Sequence, residues 1–462
     1  MKMRDDAEMS ELSAPAAVAA LPPRWSPRRS LADFYRPEPA LPLRERSDEA
    51  RRILMHWRWR MFAGFFFGYA ILYFCRKNIS AALPVMATDL GYANVQLGLI
   101  GTALYVTYGL GKFLNGIMAD RANIRRFMAT GLIISGLLNL LFSSVGTIWL
   151  LAIVWGLNGW FQSMGFPPIA RGMTLWYPAK GKATRWAFWT CSHQAGTAMI
   201  MALSAWLLSW GTWRTVFYVP AVLSIVTGIV LLFVLGDTPE SKGFASQEAF
   251  ENGKAGDQES YRALFFRYVL GNRTAWVVGL IDLFVYVIRY GTLDWTAKFL
   301  VETKGYTPVE AAFRAGVMPL FGVVGVLASG FIADVVFKAR YRAVNALSLV
   351  FLIAAMVGFD QLGPGHRWLD LAFLAAIGFF IEGPQSILGG VGAVDAGGSA
   401  KVASAAAGLV GILAYVGASL SGVGTGYAID RFGWSGAFSF WIACALIGLF
   451  LCVFVWREKQ AA

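Results

Sequence analysis

The chain reads as an all-α membrane protein of twelve transmembrane helices in two pseudo-symmetric six-helix bundles. Three observations predict this. Apolar runs of about 18–25 residues recur along the 462-residue chain, each long enough to cross a hydrocarbon core of roughly 30 Å as a helix. Hydrophobic residues make up 57% of the chain and charged ones only 15%, outside soluble-domain usage. Features of the first half also return in the second at near-constant spacing.

Residues 1–55, rich in Pro, Arg and acidic groups, read as a disordered basic cytoplasmic tail. No cleavable signal peptide is evident, and the apolar patch Ala14–Leu21 stops at Pro22-Pro23, too short for a membrane span. An N-terminal bundle over 56–235 is predicted to place spans at 61–84, 97–119, 127–144, 147–170, 187–209 and 214–235. Residues 236–270 form the longest internal polar stretch and read as a cytoplasmic central loop. A C-terminal bundle over 271–456 follows, with spans at 274–300, 311–333, 343–360, 369–393, 401–427 and 434–456, then a cytoplasmic tail, 457–462.

The formal charge of +12 is topological. Lys and Arg concentrate before residue 61 and in alternate loops (Arg121/Arg125/Arg126, Lys180/Lys182/Arg185, Arg262/Arg267, Lys338/Arg340/Arg342), which puts both termini and the central loop in the cytoplasm. A nucleic-acid partner is excluded by this distribution. The partner is a lipid bilayer, and the chain is expected to be monomeric. Four cysteines without CxxC spacing suggest neither disulfides nor a metal site. No nucleophile–base pattern, Walker loop or ligand cluster is present, so neither enzyme activity nor a cofactor is expected.

Two residues contradict their surroundings. Arg76 lies inside FFFGYAILYFCRKNISAALPV and Arg289 inside WVVGLIDLFVYVIRYGTLDW. A mid-bilayer arginine is unfavourable by about 2.5–3.5 kcal/mol on the insertion scale and stays protonated. The two stand 213 positions apart, and Asp120 and Asp334, in GIMADRANIRR and GFIADVVFKAR, stand 214 apart. GTWRTVF (211–217) echoes FGWSGAF (432–438) in the same way. A repeat that carries the same cation twice predicts two arginines facing each other across a central cavity, able to fork onto phosphoryl oxygens.

Other polar residues gather around this pair. Tyr69, Tyr73 and Arg76 share one helical face, as do Tyr108 and Lys112. Lys112 has no acid at i±3 or i±4, which favours an association with ligand. Lys77, about 100° round the helix from Arg76, is expected to pair elsewhere. His193 is either a third cation or a neutral, satisfied imidazole. Asp294 reads as an interdomain ion-pair partner. Glu382 reads as a partner of Arg76 or Arg289 in the empty state, as an acceptor for sugar hydroxyls, or as a protonated carboxyl. Asp282 lies in a span with no role assigned.

The repeated loop pattern resembles the major facilitator superfamily, which has six-plus-six repeats. FFGYAILYFCRKN (66–78), YGLGKF (108–113), GWFQSMGFPP (159–168), WTCSHQAG (189–196), DTPESKG (237–243) and FVYVIRYGTLDW (284–295) occur in the order of the organophosphate:phosphate antiporter family. That family includes glycerol-3-phosphate and hexose-phosphate transporters and a hexose-phosphate sensor. The resemblance implies phosphate-clamping roles for Arg76 and Arg289, with Lys112 and His193 as further polar partners. It also implies pocket roles for Tyr69, Tyr73, Tyr108, Tyr286, Tyr415, Trp160 and Trp189. Glu382 stands where the family has a pocket tyrosine, Thr190 where it has an asparagine, and Pro319 where some members have an acid. The activity implied is exchange of an organophosphate (hexose phosphate, glycerol 3-phosphate or phosphoglycerate) for inorganic phosphate. The empty clamp, repelling itself, would reorient poorly. Segment 383–408 resembles the sensor branch at least as well, which implies a receptor for external hexose phosphate that signals to a histidine kinase. Proton-coupled symport through Glu382 or Asp294 is the third expectation.

Overall fold

The computed structural model describes residues 31–45, 47–119, 121–178, 182–245, 266, 270–337, 340–389 and 403–455. The expectations for residues 1–30, for most of 246–269, for Asp120, and for 457–462 lie outside the described residues.

Among the described residues there are helices and connections and no strand. A one-turn helix α1 (Leu31–Tyr35) precedes the first half. That half holds α2 (Asp48–Leu90), α3 (Asn94–Ala119), α4 (Ile124–Ser144), α5 (Ile148–Gln162) with α6 (Phe166–Trp176), α7 (Lys182–Leu208) and α8 (Thr215–Val234). The second holds α9 (Arg273–Lys304), α10 (Pro308–Ala315) with α11 (Val317–Phe331), α12 (Tyr341–Gln361), α13 (Arg367–Ile387) and α14 (Ala403–Phe450). Each of α5–α6 and α10–α11 is one interrupted crossing. Helix α14 is two, because Gly433 at φ 70 and ψ −169 leaves helical geometry between the expected spans 401–427 and 434–456. Twelve crossings result.

By length and composition alone only seven of the described helices qualify as spans. The helices that fail are instructive. They include α2 with Arg76 and Lys77, α7 with His193 and α13 with Glu382, as well as the interrupted α5–α6. Polar residues in mid-span lower hydropathy where the helices carry chemistry.

The repeat is visible in hydrogen bonds. Helices α2 and α9 both end on a left-handed glycine, Gly91 (φ 65) and Gly305 (φ 71). Just before each end an acid accepts from an indole: Trp213 Nε1 donates to Asp89 at 2.7 Å, and Trp434 Nε1 donates to Glu302 at 2.9 Å. GTWRTVF and FGWSGAF are therefore the same corner in two halves. The interrupted crossings break the symmetry, falling fourth in one half and second in the other.

The halves meet where α2 and α9 end. Gly98 and Gly422 approach so closely that neither has room for a Cβ. Thr102 Oγ1 donates to the Ser419 carbonyl at 2.7 Å and accepts from the Val423 amide at 3.1 Å. The Asp430 carboxylate caps α3, accepting from the Asn94 and Val95 amides at 3.1 and 2.8 Å. Hydrogen bonds that join the two halves gather between mid-span and this end.

The expected disordered tail needs correction. Helix α2 starts at Asp48, with Ser47 capping it, so the tail does not run to residue 55. Residues 36–45 pack as a strap on the central-loop segment: Leu41 N donates to Glu240 O and Arg44 N to Gly243 O, both at 2.9 Å. Glu38 pairs with Arg125 at 2.6 Å and Lys242 at 3.0 Å. Composition reported Pro and charge but not the complementary loop that pairs them.

Candidate functional site

Arg76 is 2% exposed on α2. Its guanidinium stands 4.1 Å from the Tyr108 ring centroid and 4.6 Å from that of Tyr73. It donates to Gln162 Oε1 at 3.3 Å, while its Nε has no partner. Gln162 is held by its own bond to the Leu72 carbonyl at 3.0 Å. Two desolvated cation–π contacts, each worth about 2 kcal/mol, roughly match the insertion penalty of about 3 kcal/mol. The aromatic rings therefore make a buried arginine tolerable without any carboxylate.

Arg289 solves the same problem differently. Its Nε donates to Glu382 Oε1 at 2.6 Å, both side chains being about 5% exposed. The rings of Tyr290 and Tyr286 lie at 5.2 and 5.8 Å. Of the three readings of Glu382, the geometry is that of a partner for Arg289. This corrects the picture of two bare arginines repelling each other: Arg289 carries a carboxylate, and Arg76 has none among the described residues.

The tyrosines connect the two arginines. Tyr69 packs on Tyr73 at 5.5 Å and on Trp189 at 4.8 Å, and Tyr73 lies 5.5 Å from His193. Across the interface Tyr108 packs on Tyr415 at 4.8 Å, Tyr415 on Tyr286 at 5.7 Å, and Tyr286 on Tyr290 at 5.5 Å. Lys112 is half-buried, its ammonium over the rings of Phe166 and Tyr415 at 5.0 and 5.2 Å. His193 is 9% exposed. Trp160 joins none of these ring contacts. Its carbonyl accepts from Asn115 and Ser163 at 3.2 and 2.6 Å.

Asp294 lies toward the closed end. Lys77 Nζ reaches it at 2.6 Å across the two halves, and Ser80 Oγ and Tyr105 Oη donate to the same carboxylate. A cavity of about 30 Å³, lined by Arg76, Tyr105 and Asp294, separates this cluster from the arginine. It has room for a water or two.

Sequence reasoning did not single out Gln162, Tyr105, Tyr290 or Gln385, and it left Asp282 without a role. Tyr290 could have been found as the aromatic beside Arg289. Gln162 and Gln385 show only as amides in apolar runs, a weak signal. Asp395 and Lys401, six positions apart and expected from sequence to form a solvated loop end, lie outside the described residues.

Compared with known proteins, residues 65–407 match the family model described as Major Facilitator Superfamily. A probable hexose phosphate transport protein of Chlamydia muridarum is 36% identical over 444 residues, covering 92% of this chain and 96% of its own. The glycerol-3-phosphate transporter of Bacillus subtilis is 31% identical, covering 94% and 99%. The membrane sensor protein UhpC of Escherichia coli is 33% identical, covering 83% and 88%. Among solved structures, a bacterial homologue of the human lysosomal transporter Spinster, inward-facing and occupied, superposes with a TM-score of 0.69. It shares 16% identity and covers 88% of this chain and 99% of its own, a likeness of fold.

Proposed function

Because the chain belongs to the Major Facilitator Superfamily, in the branch of the hexose phosphate and glycerol-3-phosphate transport proteins, we propose that it exchanges an organophosphate for inorganic phosphate across the bacterial inner membrane by alternating access. The observation that carries this reading is Arg76: buried, charged, paired with no carboxylate among the described residues, and with an unpartnered Nε. An oxyanion supplies the missing charge and accepts from the guanidinium fork. Phosphate bound between Arg76 and Arg289, with Lys112 and His193 beside it, draws the halves together. Without an anion nothing bridges Arg76 to the opposite half, so the loaded carrier crosses faster than the empty one.

The basic loops support cytoplasmic termini. On that orientation the hydrogen-bonded end faces outward and substrate enters from the cytoplasm in the state described. Proton coupling through Glu382 or Asp294 has less support, since each carboxylate is held by a cation at 2.6 Å.

Proteoliposomes test exchange. Internal phosphate is expected to accelerate organophosphate uptake several-fold over phosphate-free vesicles; equal uptake in both would sink it. A second reading, a receptor signalling to a membrane histidine kinase, is favoured by the UhpC relative and by the sensor-like segment 383–408. It predicts organophosphate binding and kinase stimulation with no flux in the same vesicles.

A further inference from the structure

Asp282 is 1% exposed, and neither of its carboxylate oxygens has a hydrogen-bond partner. The other buried carboxylates near the centre are held: Glu382 by Arg289, and Asp294 by Lys77, Ser80 and Tyr105. A charged group this far from water is unfavourable unless donors reach it. Among the described residues no donor reaches it.

Its position says what would satisfy it. Asp282, Tyr286 and Arg289 lie on one face of α9, with Asp282 about 10 Å along the axis from Arg289, away from the closed end. Gln385 on α13 donates to Tyr286 Oη at 3.3 Å. The amide nitrogen of Gln385 and Oδ2 of Asp282 both lie 3.7 Å from the point a Cβ on Gly389 would occupy, so the glycine leaves that space open between them. Lys112, approaching from the opposite half, makes no hydrogen bond to described residues and stands 3.9 Å from the equivalent point at Gly411. An acceptor and an amide therefore border one position, and the Lys112 ammonium lies within electrostatic reach of that acceptor.

We propose that Asp282, with Gln385 and Lys112, forms the subsite for the hydroxyl groups of a sugar phosphate. The inference rests on the organophosphate reading above and names its substrate class. Neighbouring hydroxyls give one donor to each carboxylate oxygen, while Lys112 and Gln385 donate to hydroxyl oxygens in turn. A hexose phosphate clamped at Arg289 carries hydroxyls farther from phosphorus than glycerol 3-phosphate does. Phosphoglycerate brings a second carboxylate to Asp282 and is disfavoured by like-charge repulsion.

The test is competition against labelled phosphate exchange by the full-length protein. Glucose 6-phosphate, glycerol 3-phosphate, 3-phosphoglycerate and, as a reference without hydroxyls, methyl phosphate are the competitors, on wild type and Asp282→Asn. In the wild type, half-inhibition is expected at the lowest concentration for the hexose phosphate and at the highest for phosphoglycerate. In Asp282→Asn the hexose phosphate should weaken about tenfold relative to methyl phosphate, the effect of losing a hydrogen bond to a charged acceptor, and phosphoglycerate should improve. A ratio unchanged within about twofold, the result for a carboxyl that is merely protonated and buried, overturns the subsite. Should the variant not be recovered, a wild type that prefers phosphoglycerate overturns it equally. The same panel read by ligand-induced thermal stabilisation separates the two claims. Binding with this order but without exchange defeats the antiport reading and leaves the subsite standing.

Discussion

Arg76 and Arg289 occupy matching places in a sequence repeat, yet the two halves treat them differently. Arg76 is surrounded by tyrosine rings and an amide, with no carboxylate paired to it among the described residues. Arg289 carries an internal anion, Glu382, at 2.6 Å. One cation waits for a ligand while the other has a resident partner that a ligand must displace or share. A pseudo-symmetric clamp is therefore chemically asymmetric, and phosphate should first replace nothing at Arg76 and then compete with Glu382 at Arg289.

The largest break in this comparison should come from Arg76. Arg76→Lys keeps the charge and loses the planar fork, and phosphate exchange in loaded proteoliposomes is expected to fall about a hundredfold, in line with disrupting a buried charge contact. Exchange within threefold of wild type would mean that the fork is not used. Glu382→Gln should act in the opposite direction. With the competitor neutralised, phosphate binding by calorimetry is expected to tighten about tenfold. The ligand-free protein should melt earlier, because one buried charge has lost its partner. Weaker phosphate binding would instead make Glu382 part of the ligand shell.

This asymmetry was only half legible in the sequence. Apolar length gave the crossings and 213-residue spacing gave the repeat, since both are properties of pattern. Matching indole-to-acid bonds at Asp89 and Glu302 confirm the repeat in three dimensions. Which carboxylate meets which cation was not legible, because Glu382 and Arg289 lie on helices 93 positions apart. Lys77 was expected to pair away from Arg76, but helical angle alone did not identify its partner as Asp294 on the opposite half. Trp160, placed among the pocket aromatics by resemblance, makes no ring contact with them among the described residues, and its carbonyl accepts from Asn115 and Ser163.

Lys77 and Asp294 extend the comparison to a cation whose partner belongs to the other half. The pair lies at the closed end, so it opposes separation of the halves there. Asp294→Asn should loosen that end and shift the resting population a few-fold toward the alternate opening, read by the accessibility of a cysteine placed at Ser419. Lys77→Met with Asp294→Leu should be more stable to heat than either single change, because each single variant strands a buried charge and the double does not. Additive losses in the double variant would show that the two residues do not act as a pair.

Glu38 offers the weakest case of the same contrast, a carboxylate held by two cations at the edge of the membrane. Burial pushes its carboxyl up, but Lys242 and Arg125 outweigh that and hold it below the usual carboxylate range. The sign follows. A depressed folded pKa gives stabilisation that is complete above the ordinary value, about 4.5, and is lost as pH falls through the folded one. Asp237, which accepts from the Glu38 and Ile124 amides, works the other way: burial raises its carboxyl, so its ionised form is penalised and acid relieves the penalty. A spin label at position 41 should report a docked strap at neutral pH and a mobile one below about pH 4, if Glu38 dominates. Glu38→Gln should free the strap at every pH, by less than about 1 kcal/mol because the pair is partly solvated. A strap that tightens in acid would transfer control to Asp237.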